Sequence, residues 1–88
     1  MKIKEDLMIR NIMGEWIIVP MGEKLTEFNG MIKVNDSGAF IFKLLENDTT
    51  KEAIIGAMLK EYDINEQTAT TKLNEFIKVL ADTGLLEA

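Results

Sequence analysis

Apolar and polar positions follow two different periods along this chain, and the change falls just after Val34. Between Leu7 and Val34 the apolar residues come in short runs separated by turn formers. Leu7-Met8-Ile9-Arg10-Asn11-Ile12 and Trp16-Ile17-Ile18-Val19 read as strands, the second rich in the aromatic and β-branched residues that suit a pleated backbone. Asn11 to Glu15 supplies a turn between them, with Gly14 free to take a positive φ. Pro20 is expected to stop the second strand, because it has no N–H to give to a ladder. A loop is expected from Met21 to Asn29. Asn29-Gly30 is a turn dipeptide, and Met31-Ile32-Lys33-Val34 follows as a short third strand.

From Asp36 onward the spacing is helical. Asp36 or Ser37 can cap a first helix, whose apolar residues Ala39, Phe40, Ile41, Phe42, Leu44 and Leu45 cover most of its circumference. Such a helix is expected to be buried between a sheet and other helices. Asn47-Asp48 ends it. Thr49 to Glu52 matches a capping box and opens a second helix, with Ala53, Ile54, Ala57 and Met58 on one face and Leu59 and Tyr62 extending the contact. Asp63 or Asn65 caps the third. Its stripe of Ala69, Leu73, Phe76, Ile77 and Leu80 is clearly amphipathic. Gly84 is placed to end that helix as its C′ residue, and Leu85-Leu86 can fold back onto the last turn.

The pattern thus predicts an α+β fold: a three-stranded antiparallel sheet followed by three helices on one face, in the outline of a winged helix-turn-helix. Strands are expected at about 7–12, 16–19 and 31–34, and helices at about 37–46, 50–61 and 66–83, forming one domain over residues 1–88. There is no internal repeat, low-complexity segment or linker.

Composition narrows the function. The chain contains neither cysteine nor histidine, so it lacks the usual thiolate nucleophile, the commonest general base and the commonest transition-metal ligands. No catalytic, cofactor-binding or metal-binding residue is expected. Glycines are isolated, with no phosphate-binding loop. Carboxylate pairs such as Glu5-Asp6 and Glu61 with Asp63 fall at element ends among polar neighbours and read as solvated charge. Of the six methionines, most read as core filler; Met31, on the short third strand, is the one placed for an adaptable contact. No apolar run approaches a membrane span, and no signal-peptide core follows Met1, so a cytoplasmic chain with no membrane partner is expected.

Net charge is −5, and all of the excess lies in residues 35–88. An acidic half repels phosphate backbones and anionic lipid. A winged-helix DNA binder would read the groove with its third helix. Here Glu66, Lys72, Glu75, Lys78 and Asp82 leave that helix slightly acidic, where phosphate contacts call for a basic one. No nucleic-acid partner is expected.

One segment adds a family resemblance. Ile32-Lys33-Val34-Asn35-Asp36-Ser37-Gly38-Ala39-Phe40-Ile41-Phe42-Lys43-Leu44-Leu45 continues with Thr50, Ala53-Ile54, Leu59, Tyr62, Phe76-Ile77, Leu80 and Gly84-Leu85-Leu86. Upstream stands Ile18-Val19-Pro20-Met21-Gly22. This series resembles the PqqD family, named for a pyrroloquinoline quinone biosynthesis chaperone; the same domain is called the RiPP recognition element, after ribosomally made, post-translationally modified peptides. The resemblance covers roughly residues 5–87. It rests on an ordered series of hydrophobic pairs with Asn35, Gly38 and the final Gly-Leu-Leu, rather than on one sharp motif. Glu46-Asn47-Asp48 departs from it, since many relatives carry an acidic residue and glycine there; the departure touches a turn.

The resemblance implies a non-catalytic, peptide-binding chaperone. Family members bind the leader of a precursor peptide as an added strand and present it to a modifying enzyme, often a radical-SAM protein. Strand addition suits an edge whose N–H and C=O groups are unpaired. Met31, Ile32, Lys33 and Val34 would supply that edge. Thr68, Lys72, Glu75, Phe76 and Val79 on the third helix would complete a groove, with the other flank (Thr70, Asn74, Lys78) left open as an alternative. Lys72 or Lys78 could pair with an acidic leader. An open third strand could also pair with a second copy, so a monomer and a strand-exchanged dimer are both compatible with the pattern. The alternatives are the DNA binder and a subunit interaction module for a folded partner.

Overall fold

The computed structural model describes residues 1–21 and 32–87. Three strands, β1 (Leu7–Ile12), β2 (Glu15–Pro20) and β3 (Ile32–Val34), precede three helices, α1 (Asp36–Leu44), α2 (Lys51–Glu61) and α3 (Glu66–Asp82). The sheet is antiparallel with order β1-β2-β3, so β3 is an edge among the described residues. The expected Met31, and with it the start of the third strand and the loop before it, lies outside the described residues.

The β1–β2 hairpin closes in two residues. Ile12 pairs with Glu15, while Met13 and Gly14 both take positive φ (54° and 86°), as a tight turn matched to strand twist requires. Gly14 N–H donates to Asn11 Oδ1 at 3.2 Å. Strand alternation then sorts the sheet. Leu7, Ile9, Ile18, Ile32 and Val34 join the core, with Ile18 fully buried; Arg10, Ile17 and Lys33 occupy the intervening positions of the same ladders.

Several local expectations need correction. Pro20 belongs to β2 and pairs with Leu7. It is the last residue of the strand, and among the described residues the register of β3 reaches only to Ile18, leaving Pro20 at a strand end, where a missing N–H is tolerated. The cap of α1 is Asn35, whose Oδ1 accepts from Gly38 N–H at 2.8 Å and from Ser37 Oγ at 2.9 Å. Asp36 sits one position inside and accepts from Trp16 Nε1 at 2.9 Å. The helix stops at Leu44, before Asn47-Asp48. Thr50, not Thr49, caps α2 by accepting from Ala53 N–H at 3.1 Å; Thr49 instead donates its N–H to the Met1 carbonyl. On α2 only Ile54 and Met58 are buried. Ala53 is exposed and Leu59 is 38% exposed, so the buried face is narrower than the spacing suggested.

The third helix buries Ala69, Leu73, Phe76 and Leu80, and Asn65 caps it with Oδ1 on Thr68 N–H at 2.8 Å. Its end is a Schellman turn. Gly84 has φ 74°, its N–H donates to Ala81 O, and Leu85 N–H donates to Leu80 O at 2.8 Å. This turns Leu85 into the core. Leu86 then bridges to Ile3, whose side chain is also buried. The segment before β1 is therefore a structural part of the core.

Candidate functional site

Val34 leads into α1 through Asn35, and this junction brings β3 opposite α3. The Asn35 cap holds the first turn of α1 close to α3, and Gly38 is what permits it. A Cβ on Gly38 would lie 3.0 Å from Phe76 Cε1 and 3.2 Å from Asn35 Oδ1, closer than side chains normally pack. With only a hydrogen there, Phe76 slides under the turn and stays 7% exposed.

Between these elements lies an open cavity of about 240 Å³. Lys33 and Val34 of β3 form one wall, and Asn35, Ser37 and Gly38 form the end. Lys72, Glu75, Phe76 and Val79 of α3 form the other wall. Val79 is 41% exposed and offers apolar surface to the cavity. The floor is thus apolar and the rim charged, the usual composition of a small binding groove. Among the described residues no strand pairs with the outer edge of β3, and an unpaired edge is where an added strand can bind.

The expected site residues separate as follows. Lys33, Val34, Lys72, Glu75, Phe76 and Val79 meet in the groove. Ile32 lies on β3 opposite Ile18 and packs against the core. Thr68 is not in the groove; it borders a shallow hollow with Gln67, Thr71, Lys72 and Glu75 on α3. Of the opposite flank, Asn74 accepts from Lys51 Nζ of α2 at 3.4 Å, and Thr70 donates to its own helix at Glu66 O. Neither these two nor Lys78 lines the groove. Met31 lies outside the described residues.

Asn35, Ser37 and Gly38 are the groove residues that the periodicity of α3 could not reveal. Their signal is position: a cap sequence directly after an edge strand must sit at that strand's end. Trp16 braces the same corner. Its indole donates to Asp36, and Lys43 Nζ stands 4.4 Å from its ring centroid, a cation–π contact worth about 0.5–1 kcal/mol where exposed. Lys33 pairs with Glu15 at 2.8 Å, with both side chains more than half exposed, so the pair adds about 0–1 kcal/mol.

Among the described residues no three potential ligands cluster to hold a metal ion, and no helix is long and apolar enough to cross a membrane. Chemically, the groove can bind an extended chain through backbone hydrogen bonds and hold apolar side chains on Phe76 and Val79.

Comparison with known families agrees with that geometry. The family described as Coenzyme PQQ synthesis protein D (PqqD) matches residues 15–86. The chain belongs to the PqqD family. The match opens at the start of β2 and so takes in every element that lines the groove. Among solved structures, this PqqD-family chain is similar to TbiB1 in complex with the TbiA(beta) leader peptide, with 27% identity and a TM-score of 0.77. That alignment covers 100% of this chain and 96% of TbiB1, β1 included. No curated protein matches significantly.

Proposed function

We propose that this PqqD-family chain binds the leader segment of a ribosomally made precursor peptide by strand addition and presents it to a modifying enzyme, such as a radical-SAM protein, without catalysing a step itself. The observation that carries the reading is the open edge of β3 facing an apolar floor, Phe76 and Val79, across a groove of about 240 Å³. Similarity along the whole chain to TbiB1, a protein in complex with a leader peptide, supports it.

In this reading the outward-facing backbone groups of the Ile32-Lys33-Val34 strand supply donors and acceptors, and the leader's alternate side chains rest on Phe76 and Val79. Lys72 and Glu75 face the peptide from the rim, where a charged contact acts more on selectivity and encounter rate than on affinity. The expected compartment is the cytoplasm.

The test is an NMR titration of the isotope-labelled chain with leader peptides from precursors encoded beside its gene. Strand addition predicts large amide shifts at 32–34 and along 72–79. A chain that stays folded and shows no shift in either segment at saturating peptide would contradict the reading.

A further inference from the structure

A second cavity, of about 300 Å³, opens on the other side of the α1 N-terminal turn. Its apolar walls are Tyr62 and Ile64, from the connection between α2 and α3. It shares Asn35, Ser37 and Lys72 with the β3–α3 groove, so the two cavities adjoin at that turn. Tyr62 and Ile64 are half-buried and packed against the core, and the Tyr62 ring meets Phe40 edge-on at 5.4 Å. The walls are therefore packed in place by the core and by Phe40.

Two features suit this cavity to a peptide side chain. Among the described residues the Tyr62 hydroxyl has no hydrogen-bond partner, and it is open to solvent, so it is available to a ligand. Its pKa lies above the ordinary 10.0, mainly through burial and then through the nearby Glu61 and Asp36 carboxylates. The volume is at the lower end for ligand pockets, room for one large side chain rather than a cofactor.

We propose that the Tyr62–Ile64 cavity is a second anchor site for the same peptide, taking one aromatic or large aliphatic side chain from beyond the segment that pairs with β3. This rests on the peptide-binding reading above. The Tyr62 hydroxyl donates to a peptide carbonyl at that position. Lys72 lines both cavities, and its hydrocarbon stem packs along the peptide between them. An extended chain advances about 3.3 Å per residue, so rounding one helical turn places the anchor about two to four residues past the residue opposite Val34.

The experiment uses the full chain and a fluorescently labelled leader peptide from the adjacent precursor gene, alanine-scanned along its length. The proposal expects two separate sensitive stretches, and NMR shifts at residues 62–65 as well as at 32–34. Replacing the anchor by alanine should weaken binding about tenfold and abolish the shifts at 62–65 while leaving those at 32–34. On the protein side, Ile64→Ser should match that loss, and Tyr62→Phe should give a smaller one. The peptide scan reads the same contact in the unaltered protein should Ile64→Ser misfold. Binding with shifts at 32–34 and unmoved residues 62–65 would overturn the second anchor and leave the leader-binding function standing. Absence of shifts at both would overturn both.

Discussion

Gly38 is the residue on which the groove most depends. Its missing side chain lets the first turn of α1 rest on Phe76, so Gly38→Ala must push either the ring or the Asn35 cap. We expect a loss of about 1–3 kcal/mol in urea unfolding, together with weaker peptide binding, because the displaced ring is the groove floor. Wild-type stability with wild-type affinity would show that the contact has slack. Tyr62 gives a pH-dependent prediction. Its folded pKa is raised, chiefly by burial, so the fold favours the neutral phenol. That contribution is present below about pH 10 and is lost as pH rises through the folded value. Ultraviolet titration of the phenol should show a midpoint above 10.0, and saturating peptide should raise it further if the ring becomes more covered.

At the scale of elements, strand addition makes a prediction with period two. N–H groups of an added strand point alternately toward and away from β3. N-methylation of the leader peptide should therefore abolish binding at every second position and be tolerated between them, as read by fluorescence anisotropy. Uniform tolerance would place the peptide in the groove by side chains alone. The Schellman turn yields another prediction. Gly84→Ala forces a side chain into φ 74° and should cost about 1 kcal/mol in thermal or urea unfolding. These elements were legible in the sequence to different degrees. The stripe of α3 and the terminal glycine carry strong periodic and conformational signals, so both could be read directly. The cap of α1 was misplaced because Asn35, Asp36 and Ser37 are all good cap residues, while Asp36 is engaged with the Trp16 indole and Asn35 takes the cap bond from Gly38. The groove wall at Asn35, Ser37 and Gly38 depends on contact with Phe76, far away along the chain, which no local pattern reports.

At the scale of the whole molecule, an acidic chain carries a groove lined by two lysines and one glutamate. One of those lysines is already paired with Glu15, so Lys72 is the groove's main positive contact. With a net charge of −5, the chain should show no measurable affinity for duplex DNA at physiological salt; binding that falls steeply with added salt would revive the winged-helix DNA reading. Fold class was legible because the two periods, strand then helix, are each unbroken. The part played by Ile3 was not, since one apolar residue among charges has no period to reveal it. Only its bridge to Leu86 and its burial show that the segment before β1 closes the core. The most direct test of the central claim is amide hydrogen exchange at Ile32, Lys33 and Val34 with and without a saturating leader peptide. Strand addition predicts that the amides on the open edge of β3 become protected, by about the factor that the peptide's affinity sets. A peptide that binds while all three amides exchange at their free rates would contradict it.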